Sequence, residues 1–490
     1  MLRRVFKTVA LAAGGVVLLG GVLYLFFGLR VVMDGGGAPR LRLSESTERQ
    51  AERIERHRQA QRAAAEAAPM AIAPEPTAPG AAPVAAEGAE AAGRADVPST
   101  PTSGAAYWTD FRGPRRDGDY REQPILTDWG PAGLKPLWKQ PAGGGYASFV
   151  VARGRAFTIE QRGSREVVAA YEVRTGRELW TNAWPAEFRE SMGGDGPRAT
   201  PTWSDGRLYA LGAMGELRAL DEAAGNVAWR TNILTDSGAR NLDWGMSASP
   251  LIVDDMVVVL PGGPKGSVAA YDRATGRRAW SVLGDQQAYA SPMLVTLSGV
   301  RQLLVTSAAR VMGLGPSDGQ LLWEYPFPTY NGINAAQPLL VGDNRVFVSA
   351  SYGAGAAMLE ISGSASGLFV SEVWRTNRMK NRFSGSVLRD GVIYGLDESI
   401  LAALDAETGQ LKWKGGRYGY GQVLLAGDHL IVLTEDGDLA LVRATPERHE
   451  EVARFPVLDG KTWNVPALAG GYLLVRNLAE MAAVDLRVVK

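Results

Sequence analysis

The feature that most restricts this chain is a ten-residue unit that keeps returning along its carboxyl-terminal four-fifths. It reads YEVRTGRELW at Tyr171–Trp180, LDEAAGNVAW at Leu220–Trp229, YDRATGRRAW at Tyr271–Trp280 and LDAETGQLKW at Leu404–Trp413. Looser copies end at Trp323 and Trp374, a degenerate one at Phe455, and a lone LKPLW at Trp138. These aromatic ends recur every roughly 40–50 residues, the length of a four-stranded propeller blade. Within a copy the acidic residue caps a hairpin through its side chain, and glycine supplies the positive φ that closes it. Alternating strands such as RLYALG from Arg207 and ELRALD from Glu216 come first. The indole then lies on the outermost strand, where a large ring fills the gap between blades. A single blade cannot bury both its faces, so the copies must stack.

Eight aromatic ends predict an all-β, eight-bladed propeller over residues 106–490. The chain finishes with PALAGGYLLV from Pro466 and EMAAVDL from Glu480, inner strands with no outer indole strand of their own. The strand ending at Trp138 is their natural partner, and pairing the two chain ends shuts the ring and removes its exposed edge. Seven blades is the alternative, with the last copy serving as a cap.

The amino-terminal fifth reads differently. Residues 1–7 carry Arg3, Arg4 and Lys7 and precede an apolar run at 8–29. That run is long enough to span a bilayer, and the leading positive charges keep that end in the cytoplasm. A cleaved signal peptide is the competing reading, but its apolar core is usually about 7–15 residues and ends at a small-residue site. The expectation is a single-pass anchor in the inner membrane, with the propeller on the periplasmic or extracellular side. Residues 30–105 read as a stalk: a charged, solvated helix up to Ala67, then an Ala/Pro-rich flexible spacer. A coiled coil is the alternative for the charged part, although no sustained apolar seam runs through it.

Composition removes several classes of function. Lys+Arg and Asp+Glu both count 52, so nothing favours a nucleic-acid partner. Cysteine is absent, which removes disulfides, thiolate zinc sites and a cysteine nucleophile. The histidines are His57, His429 and His449, and none stands in a metal or triad motif. PGGPKGS from Pro261 lacks phosphate-loop spacing, and EDGD from Glu435 reads as a plain turn.

The repeat resembles the PQQ-like propeller repeat, the quinoprotein dehydrogenase-like and BamB-like superfamily. WTDFRGPRRDG from Trp108, GGDGPRATP from Gly193 and WGMSASPL from Trp244 are similar to a bacterial subgroup of PQQ-binding-like propellers. The resemblance implies the fold, and leaves activity open because such propellers serve dehydrogenases and non-enzymatic scaffolds alike. The dehydrogenases place a quinone over calcium beneath a disulfide of adjacent cysteines, and this chain has no cysteine. The propeller lipoprotein of the outer-membrane β-barrel assembly machinery is similar in blade count, but its lipid-bearing cysteine is also missing here.

Loops that precede the innermost strands converge at one end of a propeller channel. The residues expected there as a polar and aromatic ligand-binding funnel are Arg198, Trp244, Gln287, Tyr289, Asn334, Asn381, Tyr420, Trp463 and Asn464. Asp195 and Asp243 are the candidate catalytic bases. The bland alternative is that these residues start strands and fill the ring. The favoured reading is a non-catalytic binding or scaffold module for a cell-envelope protein partner or small ligand, with no cofactor or metal. The rival is a PQQ-dependent alcohol or sugar oxidoreductase using calcium, its quinone stacked on Trp244 or Trp463 and held by Arg198, with no calcium-binding set that maps onto this chain.

Overall fold

The repeated turn is built as its residue types dictate. Asp272 accepts from the Thr275 amide at 2.8 Å and its hydroxyl at 2.7 Å, and Asp405 accepts from the Thr408 amide at 3.0 Å and its hydroxyl at 2.9 Å. The following glycines, Gly276 and Gly409, have φ of 72° and 69°. The same glycines receive the indole of the preceding blade. A Cβ on Gly225 would lie 2.3 Å from Trp180, and one on Gly276 would lie 2.6 Å from Trp229. The indole N–H then donates to a carbonyl of that next blade: Trp180 to Glu222 at 3.0 Å, Trp229 to Arg273 at 2.9 Å and Trp138 to Val173 at 2.8 Å. The repeat is therefore a docking joint, in which the ring of one blade needs the bare glycine of its neighbour. Gly225→Val combines a branched side chain at positive φ with a collision against Trp180, so it should cost about 3 kcal/mol, read as a lowered urea midpoint.

The computed structural model describes residues 29–43, 45–67, 107–364 and 366–488. Seven blades are consecutive along the chain, at residues 150–185, 202–232, 251–282, 293–326, 339–376, 387–417 and 422–456. The eighth takes three strands from residues 467–485 and its outer strand from Trp138–Pro141, with Ala483 opposite Trp138 and Glu480 opposite Pro141. The ring closes between the two ends of the propeller sequence, as their strand content predicts. The fifth blade has a long hairpin, Gly355–Ser364 against Gly367–Thr376, in place of the glycine turn. Trp323, facing it, donates instead to Gln302 Oε1 of its own blade at 2.5 Å.

Around the channel, residues just before the inner strands pass hydrogen bonds from blade to blade. The Ser148 amide donates to Thr200 Oγ1 at 2.9 Å, the Thr200 amide to Ser249 Oγ at 3.0 Å, and the Ser249 amide to Ser291 Oγ at 2.9 Å. Ser148 Oγ completes the seam by donating to Val465 O of the eighth blade at 2.5 Å. Proline follows three of these hydroxyls, at Pro201, Pro250 and Pro292, starting an inner strand whose free edge needs no N–H.

The channel itself is filled by residues 107–120. This loop enters beside the first blade, where Trp108 bridges to Val151, and leaves beside the seventh, where Asp119–Tyr120 pairs in parallel with Leu425 and Ala426. Arg116, 2% exposed, reaches the carbonyls of Ser249 at 3.3 Å and Pro292 at 2.8 Å, that of Pro250, Thr202 Oγ1 at 3.3 Å and Asp110 at 3.0 Å. Arg112, 1% exposed, reaches Ser386 O at 3.0 Å and Val423 O at 3.4 Å, and Gly385 leaves room for its guanidinium. Together the two arginines bind blades two, three, four, six and seven to one axial loop.

The expected anchor at 8–29 lies outside the described residues except for Leu29, which opens strand β1 (Leu29–Met33). No helix among the described residues is long and apolar enough to cross a membrane. Strand β1 forms a hairpin with β2 (Pro39–Leu43), and helix α1 (Thr47–Ala67) follows. The reading of residues 30–67 as a solvated stalk needs correction, because both elements dock on the propeller. Helix α1 buries Ile54 and Arg58, each 1% exposed. Gln50 donates to Ala142 O at 2.8 Å and Leu478 O at 2.5 Å, and Arg58 donates to Gln140 Oε1 at 2.7 Å. An interface made mostly of hydrogen bonds leaves no apolar stripe, and hydrophobic periodicity sees only such stripes. The expected spacer at 68–105 lies outside the described residues.

Candidate functional site

At the end of the ring where the inner strands begin, the channel opens into a cavity of about 210 Å³. Its walls come from the converging loops: Tyr146, Arg198, Trp244, Tyr289, Tyr352, Arg382, Phe383, Gln422 and Trp463 all line it. Phe111, on the axial loop, also lines it, and Met33 to Gly37 of the hairpin tip stand over it. The site is thus floored and roofed by segments of the same polypeptide.

Aromatic rings run along one wall. Tyr146 stacks on Trp463 with centroids 5.2 Å apart, Trp463 meets Phe383 at 4.6 Å, and Phe383 meets Tyr420 at 6.1 Å. Trp244 and Tyr289 meet edge to face at 5.6 Å on the other side. Cations sit on the wall rings: Arg198 over Tyr146 at 5.6 Å, Arg382 over Tyr352 at 5.0 Å and Tyr420 at 5.1 Å, and Lys461 over Trp463 at 4.2 Å. Glu435 ties wall to roof, accepting from Trp463 Nε1 at 2.9 Å, the Tyr420 amide at 3.2 Å and the Gly35 amide at 2.6 Å.

The funnel residues expected from sequence fall into two groups. Arg198, Trp244, Tyr289 and Trp463 line the cavity, and Tyr420 flanks it against Gly35. The four amides lie away from it. Asn334 donates to Ser307 O at 2.9 Å and Phe327 O at 3.1 Å, Asn381 to Leu396 O at 3.0 Å, and Asn464 to Gly145 O and Ala147 O, both at 3.0 Å. Gln287 is buried, its side-chain amide meeting no hydrogen-bond partner among the described residues. A buried backbone carbonyl at a loop corner needs a donor, and a short amide supplies it. Tyr146, Tyr352, Arg382, Phe383, Gln422 and Glu435 were missed, although four of them stand in the same pre-strand segments that supplied the expected set.

Burial sets the ionisation of the groups on the wall. Burial, then Asp243, pushes the Tyr289 hydroxyl up to about 12, and burial also raises Tyr146, Tyr352 and Tyr420, so all four phenols stay neutral near pH 7. Arg198 is lowered by burial and is committed to Gly194 O at 2.7 Å and to Gly196 O. The two expected bases do not face the cavity. Asp195, raised by burial, lines a separate polar cleft beside α1 and accepts from the Glu190 amide at 3.1 Å, while Asp243 is exposed. Among the described residues, the one carboxylate on the lining is Asp34 of the roof, which caps its own turn.

The family model described as outer membrane protein assembly factor BamB, of the PQQ_2 repeat, matches residues 164–415. The chain belongs to this family. A BamB of Yersinia pestis is 24% identical over 325 residues, covering 60% of this chain and 75% of that protein. Part of the propeller also resembles a quinohemoprotein alcohol dehydrogenase of Comamonas testosteroni, 31% identical over 134 residues, or 25% of this chain and 18% of the enzyme. Among solved structures, BamB from Moraxella catarrhalis aligns with a TM-score of 0.51 at 14% identity, covering 72% of this chain and 99% of that one. The Comamonas dehydrogenase aligns at 0.55 and 14% identity, covering 78% and 82%. At such identities the structural likeness concerns the fold alone.

The quinone that the dehydrogenase relatives imply does not fit the residues present. No cluster of three His, Cys, Asp or Glu that could hold a metal occurs among the described residues, and the chain has no cysteine for a disulfide lid. Of the arginines on the wall, Arg198 is committed to carbonyls through both terminal nitrogens, and Arg382 gives its Nε to the Tyr352 hydroxyl at 3.2 Å and faces Glu398 at 3.9 Å.

Proposed function

We propose that this protein is a non-catalytic scaffold of the cell envelope, held to the inner membrane by residues 8–29 with its propeller outside the cytoplasm, and that its aromatic funnel is a docking site for a protein partner. The observation that carries the reading is the funnel's construction. It is rich in aromatic faces and cations suited to anchoring polypeptide, and it lacks an acid–base pair among the described residues. Its relatives are named as outer membrane protein assembly factors, which supports an envelope partner.

The test uses the full chain. Cells lacking it should accumulate less folded outer-membrane β-barrel protein, seen by heat-modifiable gel mobility, and the natural chain should restore it. The purified chain given PQQ and calcium should show neither bound-quinone absorbance nor dye reduction with alcohols or sugars. Dye reduction above a heat-treated control would overturn the scaffold reading.

A further inference from the structure

The roof over the funnel has the marks of a ligand rather than of a wall. Hairpin β1–β2 pairs with no blade. An isolated two-stranded ribbon is marginally stable on its own. Val31 and Leu41 on its strands are 58% and 70% exposed. Among the described residues the hairpin meets the propeller mainly at its tip, held through backbone, with Arg40 of β2 adding an ion pair to Asp436. The Gly35 amide donates to Glu435 Oε1 at 2.6 Å, and Met33 O accepts from Lys461 Nζ at 3.5 Å. A Cβ on residue 35 would lie 2.3 Å from the Tyr420 ring, so the seat takes only glycine.

The remaining features belong to the turn type. Asp34 accepts from the Gly36 and Ala38 amides at 2.9 and 2.8 Å, and Arg40 bridges Asp34 at 3.4 Å and Asp436 at 3.5 Å. Nothing in that set is peculiar to this hairpin. Any polypeptide with an Asp-capped glycine turn followed by a basic residue presents the same groups.

The cis tip also fits incompletely. Beyond Met33 and Asp34 it offers only glycines, and the cavity of about 210 Å³ beneath it keeps Trp244, Tyr289, Ile333 and Trp463 on its lining. A turn carrying an aromatic or aliphatic residue beside its glycine would bury that surface and gain what the resident tip forgoes.

We infer that β1–β2 is a displaceable lid, and that the funnel is a receptor for a glycine-tipped turn of a partner polypeptide, with the chain's own tip as its resting occupant. This rests on the scaffold reading and names the chemistry of its partner. A tethered tip competes at an effective concentration on the order of millimolar, so the natural chain should bind such turns weakly until the lid is drawn off.

The experiment measures the anisotropy of a dye-labelled synthetic peptide of residues 29–43 against the full-length chain in detergent. The Gly35→Val chain cannot seat its own tip and should bind the peptide at least tenfold more tightly than the natural chain. Adding Glu435→Gln to that chain, or placing Gly35→Val in the peptide, should abolish the gain. Asp34→Ala in the chain, which loosens the turn without crowding the wall, is the second opening variant and should act in the same direction. Equal binding to natural and opened chains, or no binding to either opened chain when each retains its native circular dichroism, would overturn the lid and receptor. Peptide binding by a chain that also reduces dye with PQQ would keep the receptor and remove the scaffold reading. Silence in both assays would do the reverse.

Discussion

Replacing Arg116 with Met should destabilise the propeller by about 3–5 kcal/mol, the cost of emptying a buried charged site whose partners stay behind. Arg116 meets Ser249 O, Pro250 O, Pro292 O, Thr202 Oγ1 and Asp110 at once. An apolar side chain of similar length fills the space but donates nothing, so three backbone carbonyls lose a donor in the interior. The loss is read as a lowered urea midpoint. A second readout separates a loosened plug from a loosened ring: amides of residues 107–120 should exchange faster while those of the inner strands keep most of their protection. Uniform acceleration throughout the blades would mean that the arginine holds the ring itself. Because Phe111 lines the funnel from the same loop, the variant should also lose the floor of the cavity.

Glu160→Gln should have an effect of similar size, with a pH signature of its own. Glu160 is wholly buried where the first and eighth blades meet, with Arg162 at 2.7 Å, Arg476 at 3.5 Å and the Gly143 amide at 2.9 Å. Arg58 of α1 joins the same group through Glu178 at 3.3 Å. Burial alone would raise the Glu160 carboxyl, but Arg162, Arg476 and Arg58 outweigh it and bring it down to about 2. A carboxylate depressed in the folded state contributes stability that is full above its unfolded value, near 4.5, and is lost as pH falls toward about 2. The natural chain should therefore exceed Glu160→Gln by about 3 kcal/mol at neutral pH, and the gap should shrink between roughly pH 4.5 and pH 2. A gap that stays constant across that window would show that the loss does not come from the carboxylate charge.

What could be read from sequence depended on whether the partners of a residue are periodic. The blades were legible because every indole has the same kind of seat, a glycine turn one blade on, and that relation repeats at a fixed interval. Closure was legible because a terminal set of strands lacked its outer member and Trp138 offered one. The channel plug was not. FRGPRRDG marks a family resemblance, but its arginines bond to carbonyls as far away as Val423, and a carbonyl leaves no trace in residue type. Helix α1 was misread for the same reason, since Gln50 and Arg58 dock it through hydrogen bonds. In the funnel, the pre-strand segments located the right ring of loops, and Trp244, Tyr289 and Trp463 do line it. Which neighbour turns inward was hidden. Asn464 folds back onto Gly145 O while the adjacent Trp463 faces the cavity, and Phe383 faces it while Asn381 props a loop. Glu435, read as part of a plain turn, proves to be the joint between wall and roof.

The pairing of Trp138–Pro141 with Glu480–Asp485 also sets a clock on biogenesis. The early strand emerges some 340 residues before its mate (480 less 138 is 342). At about 5–20 residues per second of synthesis, it waits roughly 20–70 s with its hydrogen-bonding edge open. Helix α1 waits longer still, because its contacts at Leu478 and Ala479, more than 420 residues on, do not yet exist. The newborn molecule is therefore most prone to aggregate in the interval before its last blade arrives, and any factor that shields nascent chains has that early edge as its natural target.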